Sequence, residues 1–173
     1  VICDEGTVTV KNVIPGQILD VRIDKVRNGN AEGTACAVIK ESDIVDESIR
    51  CEHFGSCGGC VYQPVRYEEQ LKLKSAQIEK LLAPVGGDYT YEGIKGSPEV
   101  AEYRNKMEFS FGDEVKDGPL CLGMHKRGSF HDIVTVSGCR IMDGDFRSIL
   151  SATLDYFKNS GVPFYKKLAH TGY

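Results

Sequence analysis

Four cysteines have the type and spacing of ligands to a metal or a cluster. Residues 51–63 read CEHFGSCGGCVYQ, which places Cys51, Cys57 and Cys60 on one loop with the spacing C-x5-C-x2-C. The glycines between them remove side chains where the backbone must curl tightly around a bound group. Three soft ligands need a fourth from elsewhere in the chain. Cys139, next to a glycine at the end of a predicted strand, is the best candidate.

These four thiols suit either tetrahedral zinc or a 4Fe-4S cluster. Structural zinc sites usually combine two C-x2-4-C pairs, whereas this chain has one short pair and a single distant cysteine, which favours iron and sulfur. His53 is an alternative ligand for zinc, although a histidine in such a loop more often has another role. Both metals remain open on this evidence.

The remaining cysteines are predicted to have no ligand role. The chain has seven cysteines, and an odd number argues against a framework of disulfides. Cys3, Cys36 and Cys121 lie among small or apolar neighbours, in the stretches VIC, TACAVI and LCLG. Cysteines in such surroundings commonly act as small hydrophobic residues, so we predict three buried free thiols.

Composition and charge exclude several classes of protein. With 173 residues, 41% hydrophobic and 27% charged, the chain is in the range of globular proteins with one or two small domains. It has no apolar run of the ~18 residues that cross a membrane and no recognisable leader, so we expect a cytoplasmic monomer with no membrane partner. The net charge is −4, which is not that of a strongly basic nucleic-acid binder. Any contact with RNA must then come from a local patch or from other protein.

Residues 1–48 have the pattern of a small β domain. Three segments alternate apolar and polar residues, VTVKNVI, GQILDVRIDKV and GTACAVIKE, and the breaks between them fall at Pro-Gly and Asn-Gly pairs. In the second segment Ile18, Val21 and Ile23 are predicted to line one side. Short strands at this spacing predict an OB-like β-barrel.

Residues 64–173 predict an α+β domain that follows the cysteine loop, residues 49–63. A helical period over PVRYEEQLKLKSAQIEKLLAPV precedes an antiparallel meander that starts near Met107 and includes CLGMH and FHDIVTV. A second helix follows in DGDFRSILSATLDYFKNSG, with Asp143 or Asp145 as its cap and Gly161 as its end. The apolar positions predicted to face the core are Tyr67, Leu71, Ile78, Leu81 and Leu82 in the first helix and Phe146, Ile149, Leu150, Leu154 and Phe157 in the second.

Four stretches closely resemble the bacterial 23S rRNA (uracil-5-)-methyltransferases: CEHFGSCGGCVYQ, YEEQLKLKSAQI, YRNKMEFSFG and LGMHKRGSFHDIVTVSGCRI. The resemblance covers nearly the whole chain, and residues 1–48 resemble the TRAM domain that many of these enzymes carry. It implies that Cys51, Cys57, Cys60 and Cys139 hold a 4Fe-4S cluster that staples the central domain. It also implies 23S rRNA as the partner and S-adenosylmethionine as the methyl donor.

The resemblance implies methylation at C5 of a uridine flipped out of the RNA, after a cysteine thiolate adds to C6 of the ring. Enzymes of this kind keep the nucleophile, the base and the S-adenosylmethionine pocket in a Rossmann-like domain, and this sequence has no such glycine-rich pattern. We therefore place no catalytic residue in the chain, Cys121 included. We expect a fragment, truncated at its C-terminus and inactive alone.

RNA recognition is then the expected role of the chain. Arg104, Lys106, Lys126 and Arg127 lie at predicted strand ends or turns and are the candidate RNA contacts. Two other functions remain open: a small iron-sulfur electron carrier and a zinc-dependent RNA-binding module. The first is disfavoured because ferredoxin-type chains usually crowd their four cysteines into short motifs.

Overall fold

The protein is an α+β protein, as predicted, with two separate β-sheets and two long helices. The computed structural model describes residues 2–3, 6–166 and 169–173, with side chains described from residue 6 onward. None of the helices in these ranges is long and apolar enough to cross a membrane.

The N-terminal sheet is open and is not the closed OB-like barrel that the sequence predicted. Its strands are β1 (Ile2–Cys3), β2 (Gly6–Val10), β3 (Ile18–Arg27) and β4 (Asn30–Lys40). They lie in the order β1-β2-β4-β3, with β3 and β4 antiparallel and β2 parallel to β4. Closing a barrel requires the two edge strands to pair, and within the described residues β1 and β3 do not.

The hairpin between β3 and β4 turns at the predicted asparagine and glycine. Asn28 and Gly29 have φ angles of 50° and 73°, and a two-residue turn of this kind needs positive φ at both positions. The local signal for this turn is therefore confirmed.

The inward face of β3 differs from the prediction. Leu19 and Val21 are half-buried and share a face, because side chains alternate along a strand. Ile18 lies on the opposite face and is 56% exposed, and Ile23, next to an irregularity in the pairing, is 47% exposed.

The prediction that the three remaining cysteines are buried is not confirmed at Cys36 or at Cys121. Cys36 is exposed on β4, because the open sheet leaves that side of the strand uncovered. Cys121 is half-buried. The side chain of Cys3 lies outside the described residues.

The first helix, α1 (Tyr67–Leu82), is less buried than its period suggested. The predicted helical segment began at Pro64, whereas Pro64 precedes the helix in the structure and is fully buried. Tyr67, Leu71 and Leu82 are half-buried, whereas Ile78 and Leu81 are 42% and 71% exposed, so the last turns of the helix lie at the surface.

The predicted antiparallel meander is confirmed in the second sheet. The hydrophobic core lies between one face of this sheet and the second helix. Phe109 and Met107 pack on this core, although the first strand begins only at Ser110. The elements are β5 (Ser110–Asp113), β6 (Leu120–His125), β7 (Ile133–Thr135) and α2 (Gly144–Ser160). The buried core residues are Leu122, Val134, Val136, Met142, Leu150 and Leu154.

Both predicted ends of α2 are confirmed. The Asp143 side chain accepts a hydrogen bond from the Asp145 backbone N–H (2.8 Å), and Gly161 ends the helix with φ 66°. On the predicted apolar stripe, Leu150 and Leu154 are buried and Phe157 is half-buried, while Phe146 and Ile149 are 36% and 61% exposed.

Candidate functional site

The cysteine loop is closed by its own hydrogen bonds. Gln63 accepts a hydrogen bond from the Cys51 backbone N–H at 2.6 Å and donates one from its amide to the Ile49 carbonyl, also at 2.6 Å. A further turn forms where the Cys57 N–H donates to the His53 carbonyl at 2.8 Å. The three cysteines of the loop are thus held in one compact segment.

The loop docks on the turn between β6 and β7, which carries KRGS. The Gly58 N–H donates to the His125 carbonyl at 3.0 Å, and the Arg127 N–H donates to the Ser56 carbonyl at 2.7 Å. A Cβ at Gly58 would lie 3.1 Å from that His125 oxygen. This glycine therefore permits a close approach of two backbones.

Cys139 comes to the loop from the other side, on the turn after β7. Its N–H donates to the Val136 carbonyl at 3.1 Å, and the Arg147 guanidinium of α2 donates to the Cys139 carbonyl at 3.2 Å. The same guanidinium group donates to the Met142 carbonyl. Helix α2 therefore holds the turn that presents Cys139.

His53 joins the loop to the turn of Cys139. The Gly138 N–H donates to the His53 Nε2 atom at 3.2 Å, and the Glu52 Oε1 atom lies 3.2 Å from the same nitrogen. This nitrogen is already engaged with protein groups. The structure thus gives this nitrogen of His53 a positioning role between the cysteine loop and the Cys139 turn.

The four predicted cysteines lie within electrostatic reach of one another. Burial raises the pKa of the Cys57 thiol, and the neighbouring Cys139 and Cys51 raise it further. The hydrogen bond from the Gly59 N–H lowers this pKa, but by less than burial raises it. Burial first, and then Cys139, Cys57 and Cys51, raise the pKa of Cys60 to about 11. Thiolates placed together in this way repel one another, and a bound cation or cationic cluster core would relieve the repulsion.

The thiol positions as they stand do not form a site for a metal ion. In the described parts of the chain, no three or more His, Cys, Asp or Glu side chains are arranged to hold one. The six cysteines with described side chains are free thiols. The metal site predicted from the sequence is thus not shown, although its four residues are brought together.

Two arginines flank the thiols. Arg104 lowers the pKa of Cys60 and Arg127 that of Cys57, each opposing the larger effect of burial. The Nε atom of Arg127 is buried and has no hydrogen-bond partner. A buried N–H group without an acceptor is costly, and an anionic group among the thiols would supply one. The surroundings therefore suit a negatively charged, thiolate-ligated group.

Arg127, a predicted RNA contact, is engaged by the protein. Its guanidinium group donates to the Cys60 carbonyl and lies 5.3 Å from the centre of the Phe54 ring. The Arg50 guanidinium lies 5.2 Å from the same ring and pairs with Glu41 at 3.1 Å. Arg127 thus clamps the cysteine loop to the β6–β7 turn.

We expect Arg127→Met to loosen this clamp. The change removes a hydrogen bond from a charged donor and the contact with Phe54, which outweighs the relief of the unpartnered Nε–H group, so the free energy of unfolding should fall by about 1 kcal/mol. Urea denaturation of the metal-free chain measures this. The control is Lys106→Met, because the Lys106 side chain is 79% exposed and, within the described residues, its one ion pair is with Glu108. Equal stability of the two variants would contradict the clamp.

The other predicted RNA contacts lie in different settings. The Lys106 Nζ atom lies 2.7 Å from the Glu108 Oε1 atom, and the Lys126 Nζ atom lies 3.5 Å from the Glu114 Oε1 atom. Arg104 is exposed and lines a cavity of 480 Å³ beside Cys60.

Sequence reasoning missed this cavity. Its walls come from the cysteine loop, from α1 and from two segments, 97–104 and 140–141. Several lining residues were not among the predicted sites: Tyr62, Tyr67, Lys74, Tyr103 and Arg140. The adjacent pair Tyr103-Arg104 was the one local signal, an aromatic side chain beside a cation.

Comparisons with known proteins point to one class. The chain is 44% identical, over 99% of its length, to a protein of Caldanaerobacter subterraneus subsp. tengcongensis named as an uncharacterized RNA methyltransferase. It is 43% identical, over 98% of its length, to a protein of the same name from Clostridium acetobutylicum. The chain is thus homologous to part of proteins that are named as RNA methyltransferases. No protein-family model matches it.

The chain spans 38% and 37% of the lengths of those two relatives. Its fold is also found in a solved structure, that of Pyrococcus abyssi tRNA (uracil-54, C5)-methyltransferase in complex with S-adenosyl-L-homocysteine. The TM-score is 0.66 at 18% identity, over 96% of this chain and 36% of that one. The predicted resemblance to RNA methyltransferases is thereby confirmed.

Proposed function

We propose that this chain is the RNA-recognition and iron-sulfur portion of an S-adenosylmethionine-dependent 23S rRNA (uracil-5-)-methyltransferase. The observation that carries the proposal is the 44% identity to a named RNA methyltransferase over 99% of the chain. Uracil C5 as the target and S-adenosylmethionine as the donor agree with the name and the ligand of the P. abyssi structure. The choice of 23S rRNA rests on the sequence resemblance.

In this proposal the steps of the reaction are divided between this chain and other protein. Residues 1–48 form a TRAM-like RNA-binding unit, residues 49–63 the cluster loop and residues 64–173 a central domain. We assign methyl transfer and S-adenosylmethionine binding to other protein, since this chain spans only 38% of the length of the first relative. The chain alone is then inactive, because it contributes no nucleophile or base.

Cys51, Cys57, Cys60 and Cys139 are proposed to hold the 4Fe-4S cluster. Support comes from their mutual electrostatic reach and from the buried Arg127 Nε atom that lacks an acceptor. A four-iron cluster fills the space between its ligands, so its thiolates lie further apart than those around a single ion. When bound, the cluster would cross-link the loop to the turn of Cys139 and so contribute to the folding free energy.

Methyl-transfer and RNA-binding measurements on the chain test the proposal. With labelled S-adenosylmethionine and a 23S rRNA transcript we expect no methyl incorporation, because the transferring groups lie elsewhere. Incorporation by the chain alone would contradict that division.

The choice of RNA is tested by the dissociation constants of transcripts carrying 23S rRNA segments, of a tRNA transcript and of a plain RNA duplex, all at one salt concentration. We expect a 23S segment to bind most tightly. Tighter binding of the tRNA would overturn the choice of 23S rRNA, and binding of none of them would overturn the RNA-recognition role.

A further inference from the structure

The cavity beside Cys60 has the size of a small-ligand site. Its volume is 480 Å³, and such sites usually enclose about 300–1,000 Å³. Cys60 and Arg104 both line it, so it lies directly against the cysteine site. The functions assigned above do not use it.

Aromatic side chains form part of its wall. Tyr67 lies at the start of α1, and its hydroxyl accepts a hydrogen bond from the Ser97 N–H at 2.5 Å, which fixes the ring. Tyr62 is half-buried in the cysteine loop. Tyr103 is 52% exposed, so much of its side chain is open to a ligand. Tyrosine rings give a nucleobase a surface to stack on, whatever the base.

Three cationic side chains form another part of the cavity wall. Lys74, Arg104 and Arg140 line the cavity against a single acidic residue, Glu99. Throughout the described residues none of the three pairs with a carboxylate, whereas Lys106, Lys126 and Arg147 elsewhere in the central domain all do. The Arg140 Nη1 atom donates to the Ser48 carbonyl at 3.4 Å. Its remaining donors are available to a phosphate.

We propose that this cavity binds one nucleotide of single-stranded RNA, with the base against Tyr103 and the flanking phosphates on Arg104, Arg140 and Lys74. Bases that proteins read in this way are unstacked, and the cavity is too small for a helix. The inference rests on the RNA-recognition function proposed above and gives it a site. It also separates Arg104, which faces the cavity, from Arg127, which holds the loop.

Fluorescence anisotropy with a labelled uridine-rich decamer tests the site. Tyr103→Ala should weaken binding about tenfold, because it removes one stacked base. Arg140→Gln should weaken binding and reduce the salt dependence, log K against log salt, by about 0.7, the value of one phosphate contact on a single strand. The matched controls on α2, Tyr156→Ala and Lys158→Gln, should change neither quantity.

A second measurement needs no variant. A decamer carrying 4-thiouridine should cross-link on illumination to the peptides that contain Tyr62 or Tyr103. Cross-links found only in other peptides would overturn the cavity assignment even if a variant proved unstable. Uridine 5′-monophosphate should compete only weakly. If it binds as tightly as the decamer, the cavity is a site for a free nucleotide and the RNA assignment is overturned.

The outcomes separate this inference from the proposed function. If the chain binds RNA and the cavity variants bind it as tightly as the parent does, the assignment of the cavity as a nucleotide site is wrong and the RNA-recognition function stands. If the parent binds no RNA, both are overturned.

Discussion

The parent chain is expected to take up about four irons and equivalent acid-labile sulfide after anaerobic reconstitution, and Cys60→Ser is expected to take up almost none. A serine keeps the size of the side chain but replaces a soft thiolate by a hard, protonated oxygen, which is a poor iron ligand. Cys60 is the most informative choice because burial and all three other thiols raise its pKa. Cys139→Ser should have the same result, since the cluster needs its fourth ligand.

Cys36→Ser is the matched control for these variants. Cys36 is exposed on β4 and is not among the thiols that act on Cys57 or Cys60. It should keep the full iron content and the visible absorption of the parent. Iron retained by Cys60→Ser and Cys139→Ser alike would contradict the ligand set. A colourless parent with one zinc per chain after anaerobic preparation would overturn the cluster and favour a zinc-dependent RNA-binding module.

Met142→Ala is expected to lower the free energy of unfolding by about 2–5 kcal/mol, a large share of the stability of a typical domain. Met142 is 0% exposed and packs in the core between the second sheet and α2. Its backbone pairs with Arg104 and accepts from Arg147, so it connects the Cys139 turn, the cavity wall and α2. Truncation would leave a void that these elements can fill only in part.

Urea denaturation of the reduced, metal-free chain isolates this effect from any contribution of a cluster. The control is Ile149→Ala on α2, because Ile149 is 61% exposed and the change should stay within about 0.5 kcal/mol. If both variants lose the same stability, the core described around Met142 does not carry the fold.

The two experiments test different features of the molecule, the proposed cluster ligands and the hydrophobic core beneath Cys139. Removal of Cys60 acts on the proposed ligand set and should leave the metal-free fold unchanged. Removal of the Met142 side chain acts on the support beneath Cys139, so it should weaken cluster retention only through loss of folded protein.

Sequence patterns among residues that are close along the chain were sufficient to predict much of the fold. The alternation around β6 and β7, the Asp143 cap and the Gly161 end depend on residues a few positions apart, and all are found in the structure. The same holds for the turn at Asn28-Gly29. Each of these features depends on local backbone conformation, which the residues themselves largely decide.

The sequence by itself determined that Cys51, Cys57 and Cys60 share one loop, because their spacing and the adjacent glycines are local properties. Only the tertiary structure decided the rest. Whether the first sheet closes depends on pairing between distant edge strands, and the exposure of Cys36 follows from that. Arg127 was predicted to be a surface contact, yet it binds the carbonyl of Cys60, 67 residues away. The cavity likewise needs segments from four parts of the chain, and contacts at such separations leave no periodic trace in the sequence.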